Sequence, residues 1–311
     1  MLGTPLHIWL MFGVVIVGAL AVDLGVFHRK AHQITLRQAL VESAAWIALA
    51  MLFNLWVYVW RGPQVGLEFL TGYLVEKSLS VDNIFVFILI FRAFRVPAES
   101  HHKVLYYGVV GALVLRAAFI VAGVELLRDF HIAVFLFGAI LIITGIRMIL
   151  PRDRVLRPEQ NWLVRFARKH MPVTTEYQGQ RFLVRREGKW NATPLFLALV
   201  ALEAMDIVFA VDSVPAVLAI TRDTFIVYSS NAFAILGLRA LYFALADILP
   251  RFRFLHQGLA AILIFVGAKM VASDWSSISA GVSLCIIATI LVVTILSSLG
   301  FPAKGQRATR V

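Results

Sequence analysis

Three carboxylates lie in one apolar stretch, ALEAMDIVFAVDSVPAV, at residues 201–217. Glu203, Asp206 and Asp212 are surrounded there by Ala, Val, Ile, Leu and Phe. A carboxylate facing lipid is costly, so acids within apolar helices usually face a cavity or a partner. Carboxylate oxygens are also the ligands that Mg2+, Ca2+ and Mn2+ prefer. The stretch therefore indicates a cation-binding site on an apolar helix.

A second copy of this motif lies at residues 76–92, EKSLSVDNIFVFILIFR. At an offset of 130 residues, Glu76 aligns with Asp206 and Asp82 aligns with Asp212. Each copy thus has an acid followed six residues later by an aspartate. The pairing indicates that two related helices contribute acids to one site.

The match continues over the next two apolar segments. Arg116 aligns with Arg239, and residues 139–149 align with residues 261–271. Shared elements in one order over three spans predict two three-helix repeats. Because three is odd, the second repeat starts from the opposite side of the membrane. Inverted repeats of this kind are common in secondary transporters, whose sites lie near the bilayer midplane where the repeats meet.

Neutral and basic side chains accompany the acids. Asn83 and Ser213 directly follow the two repeated aspartates and offer neutral oxygens, although each could instead be a helix-packing polar group. Five acids and three bases leave a formal charge of −2, which matches one divalent cation, but the charges could also serve only to pair helices. The predicted metal ligands are Glu76, Asp82, Asn83, Glu203, Asp206, Asp212 and Ser213; the predicted charge-balancing residues are Lys77, Arg116 and Arg239.

The spacing of the second motif raises a geometric difficulty. Asp206 and Asp212 are six residues apart, about 9 Å along an unbroken helix and about 120° around it. One ion could not easily contact both. Pro215 cannot donate to the Val211 carbonyl, so it predicts either a helix break near Asp212, which would free carbonyl ligands, or an ordinary kink.

The composition is that of a polytopic membrane protein. Of 311 residues, 60% are hydrophobic and only 15% are charged, against roughly 45–50% and 25% in soluble domains. A span needs about 20 mostly apolar residues. We therefore predict an all-α fold with about nine transmembrane helices, at residues 6–27, 42–60, 68–91, 104–123, 131–150, 194–220, 225–249, 255–272 and 279–299.

The positive charges predict the orientation. The first basic cluster, His28-Arg29-Lys30, follows the first apolar run instead of preceding it, so we interpret residues 6–27 as a retained span that starts outside. The segments then placed inside hold 21 Lys and Arg, whereas those placed outside hold three. The positive-inside rule thus favours an external N-terminus and a cytoplasmic C-terminus, in a bacterial inner membrane.

Five parts follow from this arrangement. Two peripheral spans occupy residues 1–67, the first repeat 68–150, a basic cytoplasmic loop 151–193, the second repeat 194–272, and the last span with its tail 273–311. The loop is predicted to form a short basic amphipathic helix within 158–170 and a hairpin within 180–193 that turns at Glu187-Gly188. Its charge would bind anionic lipid or simply set the topology.

Other observations restrict the function. The net charge of +11 is explained by basic loops, so we expect no nucleic-acid partner. The sequence has no phosphate-binding G-x4-G-K-[ST] loop, which leaves a secondary transporter or a channel. The histidines lie at or beyond the span ends, which disfavours an imidazole-rich site. Clustered acids can exchange protons for a cation, because like charges held together favour protonation.

The motifs VEKSLSVDNIFVF (75–87) and ALEAMDIVFAVDSVPAV (201–217) resemble the signature stretches of the TerC family of integral membrane proteins, and in particular its Alx-type members. The resemblance covers roughly residues 68–299. It implies export of divalent metal, chiefly Mn2+, as a transported ion with no permanently bound cofactor. It also implies that the seven predicted ligands named above form the metal site.

Several functions remain open at this stage. Within transport, the alternative to Mn2+/proton exchange is a Ca2+ or Na+ exchanger. An intramembrane aspartyl protease could use Asp82 and Asp212, but no catalytic signature supports an enzyme. A membrane scaffold or stress-complex subunit could dock partners through the 151–193 loop. Metal accumulation in cells lacking the protein would separate transport from the other two classes.

Overall fold

The computed structural model describes residues 4–25, 35–150, 161–174, 176–186, 188–246, 252, 254–275 and 278–300. Its secondary structure is helical apart from one small hairpin among these residues. The helices are α1 (Leu6–Gly25), α2 (Leu36–Arg61), α3 (Pro63–Phe94), α4 (Ala98–Asp129), α5 (Ile132–Ile149), α6 (Trp162–His170), α7 (Pro194–Leu218), α8 (Thr224–Leu236), α9 (Leu238–Leu245), α10 (Leu255–Val271) and α11 (Ala280–Gly300). The strands are β1 (Leu183–Arg186) and β2 (Lys189–Ala192), and a short 3-10 helix, Ala272–Asp274, follows α10.

The helices confirm an all-α polytopic membrane protein. Seven described segments are long and apolar enough to cross a membrane: α2, α4, α5, α7, α8 with α9, α10 with its 3-10 extension, and α11. The apolar part of α1 is shorter, and α3 carries the polar stretch around Glu76. Every predicted span overlaps a described helix. The count of nine transmembrane helices nevertheless stays a prediction.

Local signals in the sequence explain where the central helices begin. Thr193 caps α7, its side chain accepting from the Phe196 amide, and Pro194 occupies the first helical position, where its missing N–H is not needed. Asp223 caps α8 by accepting from two backbone amides. Gly62 separates α2 from α3 with a φ of 94°, a backbone conformation that glycine adopts without strain.

The expected break at the end of the second motif is absent. Helix α7 continues through Asp212 to Leu218 with Pro215 inside it, so the prediction of a break near Asp212 is wrong. Proline removes one helix donor, and the bond from the Ala219 amide to the Pro215 carbonyl, at 2.9 Å, still forms. The break lies instead at Gly237, between α8 and α9, where a side-chain carbon would come within 2.9 Å of Lys77 Nζ and 3.1 Å of Trp46.

The helix contacts have the reciprocal pattern that is expected of two related repeats. α4 packs on α7, while α8, the repeat equivalent of α4, packs on α3, the equivalent of α7. α5 packs along α10 through their small residues: Gly145 lies against Ala260, and Gly267, the equivalent of Gly145, lies against Gly138. Such reciprocal contacts are those of a two-fold axis. The inverted orientation of the repeats stays a prediction.

Connecting segments that are predicted to lie on the same side of the membrane contact one another. On the predicted external side, Arg61 pairs with Asp223 at 2.5 Å and His131 lies 3.3 Å from Asp274. On the predicted cytoplasmic side, Tyr177 donates to the Phe94 carbonyl at 2.6 Å. The basic residues counted in 26–34, 151–160 and 301–311 lie outside the described residues, and the orientation stays a prediction.

Within the basic loop the structure confirms both predicted elements. α6 is a nine-residue basic helix, within the predicted 158–170. β1 pairs antiparallel with β2, with Arg186 opposite Lys189. The hairpin therefore turns at residues 187–188, of which Glu187 lies outside the described residues. The loop docks on the bundle through Lys103, which donates to the Gln180 carbonyl at 2.6 Å.

Candidate cation site

A buried arginine lies at the centre of the bundle. Arg116 of α4 is only 1% exposed and forms an ion pair through Nη1 with Glu76 of α3. Its Nη2 lies 3.6 Å from Asp206 Oδ1 of α7. Nη1 also donates to Ser213 Oγ at 3.0 Å and to Asn231 Oδ1 of α8 at 2.8 Å. The cluster thus joins two helices of the first repeat to two of the second.

The repeat-equivalent acids Glu76 and Asp206 meet on this guanidinium. Both are almost fully buried, at 0% and 2% exposure. Each lies well inside its helix, far from either helix end. Burying such charges is costly unless opposite charge and hydrogen bonds offset the loss of water. Arg116 supplies one positive charge for the two acids, so part of the negative charge is not balanced by this contact.

Several carboxylate oxygens here have no donor. Among the described residues, Glu76 Oε2, Asp206 Oδ2 and Glu203 Oε2 are buried without a hydrogen-bond partner. A buried acceptor that has no hydrogen-bond donor carries the full free-energy cost of losing its hydration. Native proteins rarely tolerate this without a reason such as a missing ion, a proton or a water. Oxygens of this kind suit a cation.

Glu203 extends the acidic cluster toward α4. It lies three residues before Asp206, which places both acids on the same face of α7. Gly111 of α4 provides the room, because a methyl group at that position would overlap the Glu203 carboxyl group. The structure therefore gathers Glu76, Asp206 and Glu203 around the α3–α4–α7 contact.

The repeated aspartates six residues further on lie away from this centre. Asp212 accepts a hydrogen bond from Thr144 of α5 at 2.8 Å, and Asp82 lies 3.2 Å from His256 Nε2 of α10. The two aspartates thus approach equivalent helices, α5 and α10, at opposite edges. Asn83 is buried, with 2% exposure.

The predicted ligands are therefore not one coordination sphere in this conformation. No group of three or more His, Cys, Asp or Glu among the described residues is arranged to hold a metal ion. Helix geometry explains this, because residues six apart on the unbroken α7 point about 120° apart. One ion therefore cannot easily contact both Asp206 and Asp212 while α7 is unbroken.

The remaining predicted bases take different positions. Lys77 donates to the Ala234 carbonyl at 3.2 Å, close to the α8–α9 break. Arg239, the repeat equivalent of Arg116, is 2% exposed. It lines a cavity, large enough for about one water molecule, together with Asp206 and Gly108. Of the three bases, Arg116 is the one for which the structure describes ion pairs with Glu76 and Asp206.

Sequence reasoning missed three polar residues around the site: Asn231 contacts Arg116, whereas Thr144 and His256 contact acids. None lies in an acidic motif, so no pattern singled them out. The repeat alignment could have drawn attention to Asn231, because counting 123 residues back from it gives Gly108. Asn231, a buried polar residue of the second repeat, thus aligns with a glycine of the first repeat.

The sequence signature described as the integral membrane protein TerC family matches residues 61–306, which include all these acids and bases. The chain belongs to this family. A Myxococcus xanthus protein, "Uncharacterized membrane protein STKORF319", is 48% identical over 96% of this chain and 93% of its own. "Putative membrane-bound redox modulator Alx" of Escherichia coli (strain K12) is 45% identical over 94% of each chain. An uncharacterized membrane protein of Rickettsia bellii is 38% identical. No solved structure matches.

Proposed function

We propose that this TerC-family protein is a secondary transporter that exports a divalent metal ion, Mn2+, in exchange for protons. One observation carries the proposal. Glu76 and Asp206, equivalent acids of the two repeats, meet deep inside the bundle, and each has a buried carboxylate oxygen without a donor. Intramembrane acids facing one another in this way mark an ion or proton pathway.

The exchange follows from the charge of the cluster. When the acids hold a cation, their charge is neutralised by the ion; when the ion leaves, protons can neutralise them instead. The same carboxylates therefore bind either cargo or protons, and binding one favours loss of the other. The partly exposed Asp82 and Asp212 would pass the ion between the buried acids and the two membrane surfaces.

The choice of Mn2+ rests on the family resemblance and on the oxygen-rich ligand set, which suits Mn2+, Mg2+ and Ca2+. Export of Ca2+ or Na+ is the alternative outcome. The word redox in the name of the Escherichia coli relative fits an indirect role here. The sequence has a single cysteine, Cys285, so one chain cannot form an internal disulfide. Any redox effect would act through the exported metal.

Anionic lipid is the proposed partner of the basic loop. On α6, Trp162 and Phe166 are exposed beside Arg165, Arg168 and Lys169, and on the hairpin Trp190 is 61% exposed. Exposed aromatic rings next to basic residues favour the headgroup region of a bilayer. We place the protein in the bacterial inner membrane, with the N-terminus outside and the loop and C-terminus in the cytoplasm.

Mn2+ uptake into inverted membrane vesicles tests the proposal. Glu76→Gln and Asp206→Asn keep the size of each side chain and remove its charge, so each should reduce uptake at least tenfold. Asp82→Asn and Asp212→Asn should slow it. Glu125→Gln is the matched control, because Glu125 is an exposed acid near the end of α4. Well-inserted Glu76→Gln and Asp206→Asn proteins that transport Mn2+ like the control would refute the assignment.

A further inference from the structure

We propose that Arg116 is an internal competitor of the transported cation. Its guanidinium occupies the Glu76–Asp206 acid pair, and the ion must displace it to bind. The proposal rests on the proposed function, since it concerns how that site is filled. It adds that the affinity for the ion is set by how firmly the protein holds an arginine.

Geometry makes the two occupants exclusive. Arg116 Nη1 is in ion-pair contact with Glu76, and Nη2 is 3.6 Å from Asp206. The guanidinium therefore lies where an ion bridging the two acids would have to lie. The contact is buried, because Glu76, Arg116 and Asp206 are 0%, 1% and 2% exposed. A cation and a guanidinium held this close in a water-excluded site would also repel each other strongly.

Charge explains why an ion can win the competition. The guanidinium carries one positive charge to two carboxylates, whereas a divalent cation carries two. Donors on Arg116 also leave Glu76 Oε2 and Asp206 Oδ2 without a partner. A metal ion could coordinate these free oxygens directly. Replacement of Arg116 by the ion therefore satisfies acceptors that the arginine leaves unsatisfied.

Two neutral groups determine how firmly Arg116 is held. Ser213 Oγ and Asn231 Oδ1 both accept from Nη1, at 3.0 and 2.8 Å. The Asn231 amide is itself fixed, because its Nδ2 donates to the Val227 carbonyl at 2.9 Å. Neither acceptor carries charge, so they anchor the guanidinium without adding to the acidic charge of the site.

The repeats are unequal at this anchor. Arg239 is the equivalent of Arg116, and Gly108 is the residue equivalent to Asn231. Gly108, Arg239 and Asp206 line the same small cavity. The second repeat thus offers the Asn231 amide to Arg116, whereas the aligned position of the first repeat is a glycine. Asn231 helps to hold Arg116 on the acid pair in this conformation.

A counterintuitive result follows: weakening the anchor of Arg116 should tighten cation binding. The test is equilibrium Mn2+ binding to the full chain in detergent. Asn231→Leu removes one hydrogen-bond acceptor of Arg116 at similar side-chain volume. Arg116→Lys keeps the positive charge, but a single ammonium nitrogen replaces the two guanidinium nitrogens that contact Glu76 and Asp206. Hydrogen bonds to charged groups shift equilibria by about tenfold or more, so each variant should lower the Mn2+ Kd about tenfold. Ser229→Ala, another buried polar change on α8, should leave it unchanged.

The possible outcomes separate this inference from the proposed function. An unchanged or raised Kd in folded Asn231→Leu and Arg116→Lys would overturn the competition, provided that Glu76→Gln still weakens binding. If Glu76→Gln leaves Mn2+ binding intact, the metal site itself is wrong. If Asn231→Leu does not fold, Arg116→Lys alone decides, because it keeps one positive charge beside Glu76 and Asp206.

Discussion

Removing both partners of the Glu76–Arg116 ion pair should destabilise the protein by less than the sum of the two single removals. The two side chains are 0% and 1% exposed, so water cannot replace the lost partner. Breaking a buried pair from one side costs about 3–5 kcal/mol, whereas replacing both partners by neutral groups is often nearly neutral. The perturbations are Glu76→Gln, Arg116→Met and the double variant.

The surroundings refine these magnitudes. Glu76→Gln leaves Arg116 with Asp206 at 3.6 Å, so its cost should lie at the low end, about 3 kcal/mol. Arg116→Met removes the guanidinium from both acids, so its cost should reach about 5 kcal/mol. The double variant still removes the guanidinium from Asp206, so it should not be neutral. It should nevertheless cost less than the sum of the two, with a coupling energy of about 2–3 kcal/mol.

Reversible unfolding in mixed detergent micelles gives the free energies for this cycle. The partly exposed pair of Arg61 and Asp223, at 24% and 18% side-chain exposure, is the comparison cycle. Its coupling energy should be at most about 1 kcal/mol, because water and salt screen such pairs. A Glu76–Arg116 coupling below about 0.5 kcal/mol would show that the two charges do not meet as described, and would remove the basis of the central cluster.

Two further predictions concern the surfaces of the bundle. A reporter fused after residue 170 should read cytoplasmic and one fused near Asp274 external; the same side for both would exclude inverted repeats. Tyr177→Phe should speed proteolysis of the basic loop, because the Tyr177 hydroxyl bonds the end of α3. Burial raises the pKa of Tyr177, so its stabilising effect should be present below about pH 10 and fall as the pH rises through the raised pKa. Equal cleavage rates would show that the bond does not hold the loop.

Much of the architecture could be predicted without tertiary information. A span requires about 20 apolar residues in a row, which is a local property, and each predicted span overlaps a described helix. The acids of the site stood out for the same reason, since Glu76 and Asp206 are conspicuous in apolar surroundings. The hairpin within 180–193 follows from alternation and a turn, again local signals.

The partners of those acids depend on tertiary structure. Successive residues of an α-helix point about 100° apart. A small rotation of a helix therefore decides whether an acid faces the centre of the bundle or its edge. Glu76 and Asp206 face Arg116, whereas Asp82 and Asp212 face α10 and α5. Spacing alone could not assign these directions.

The position of the helix interruption also depended on the tertiary structure and not on the sequence pattern alone. From the sequence, Pro215 was the obvious breaker, because proline lacks a donor. In the folded bundle, however, α7 continues through it, since the remaining helix bonds hold. The interruption lies at Gly237, between α8 and α9, where Trp46 and Lys77 approach closely. The sequence by itself determined which residues are charged within apolar spans. Only packing determined that Arg116 meets the acids and that Asn231 holds Arg116, because these contacts join four helices that are distant along the chain.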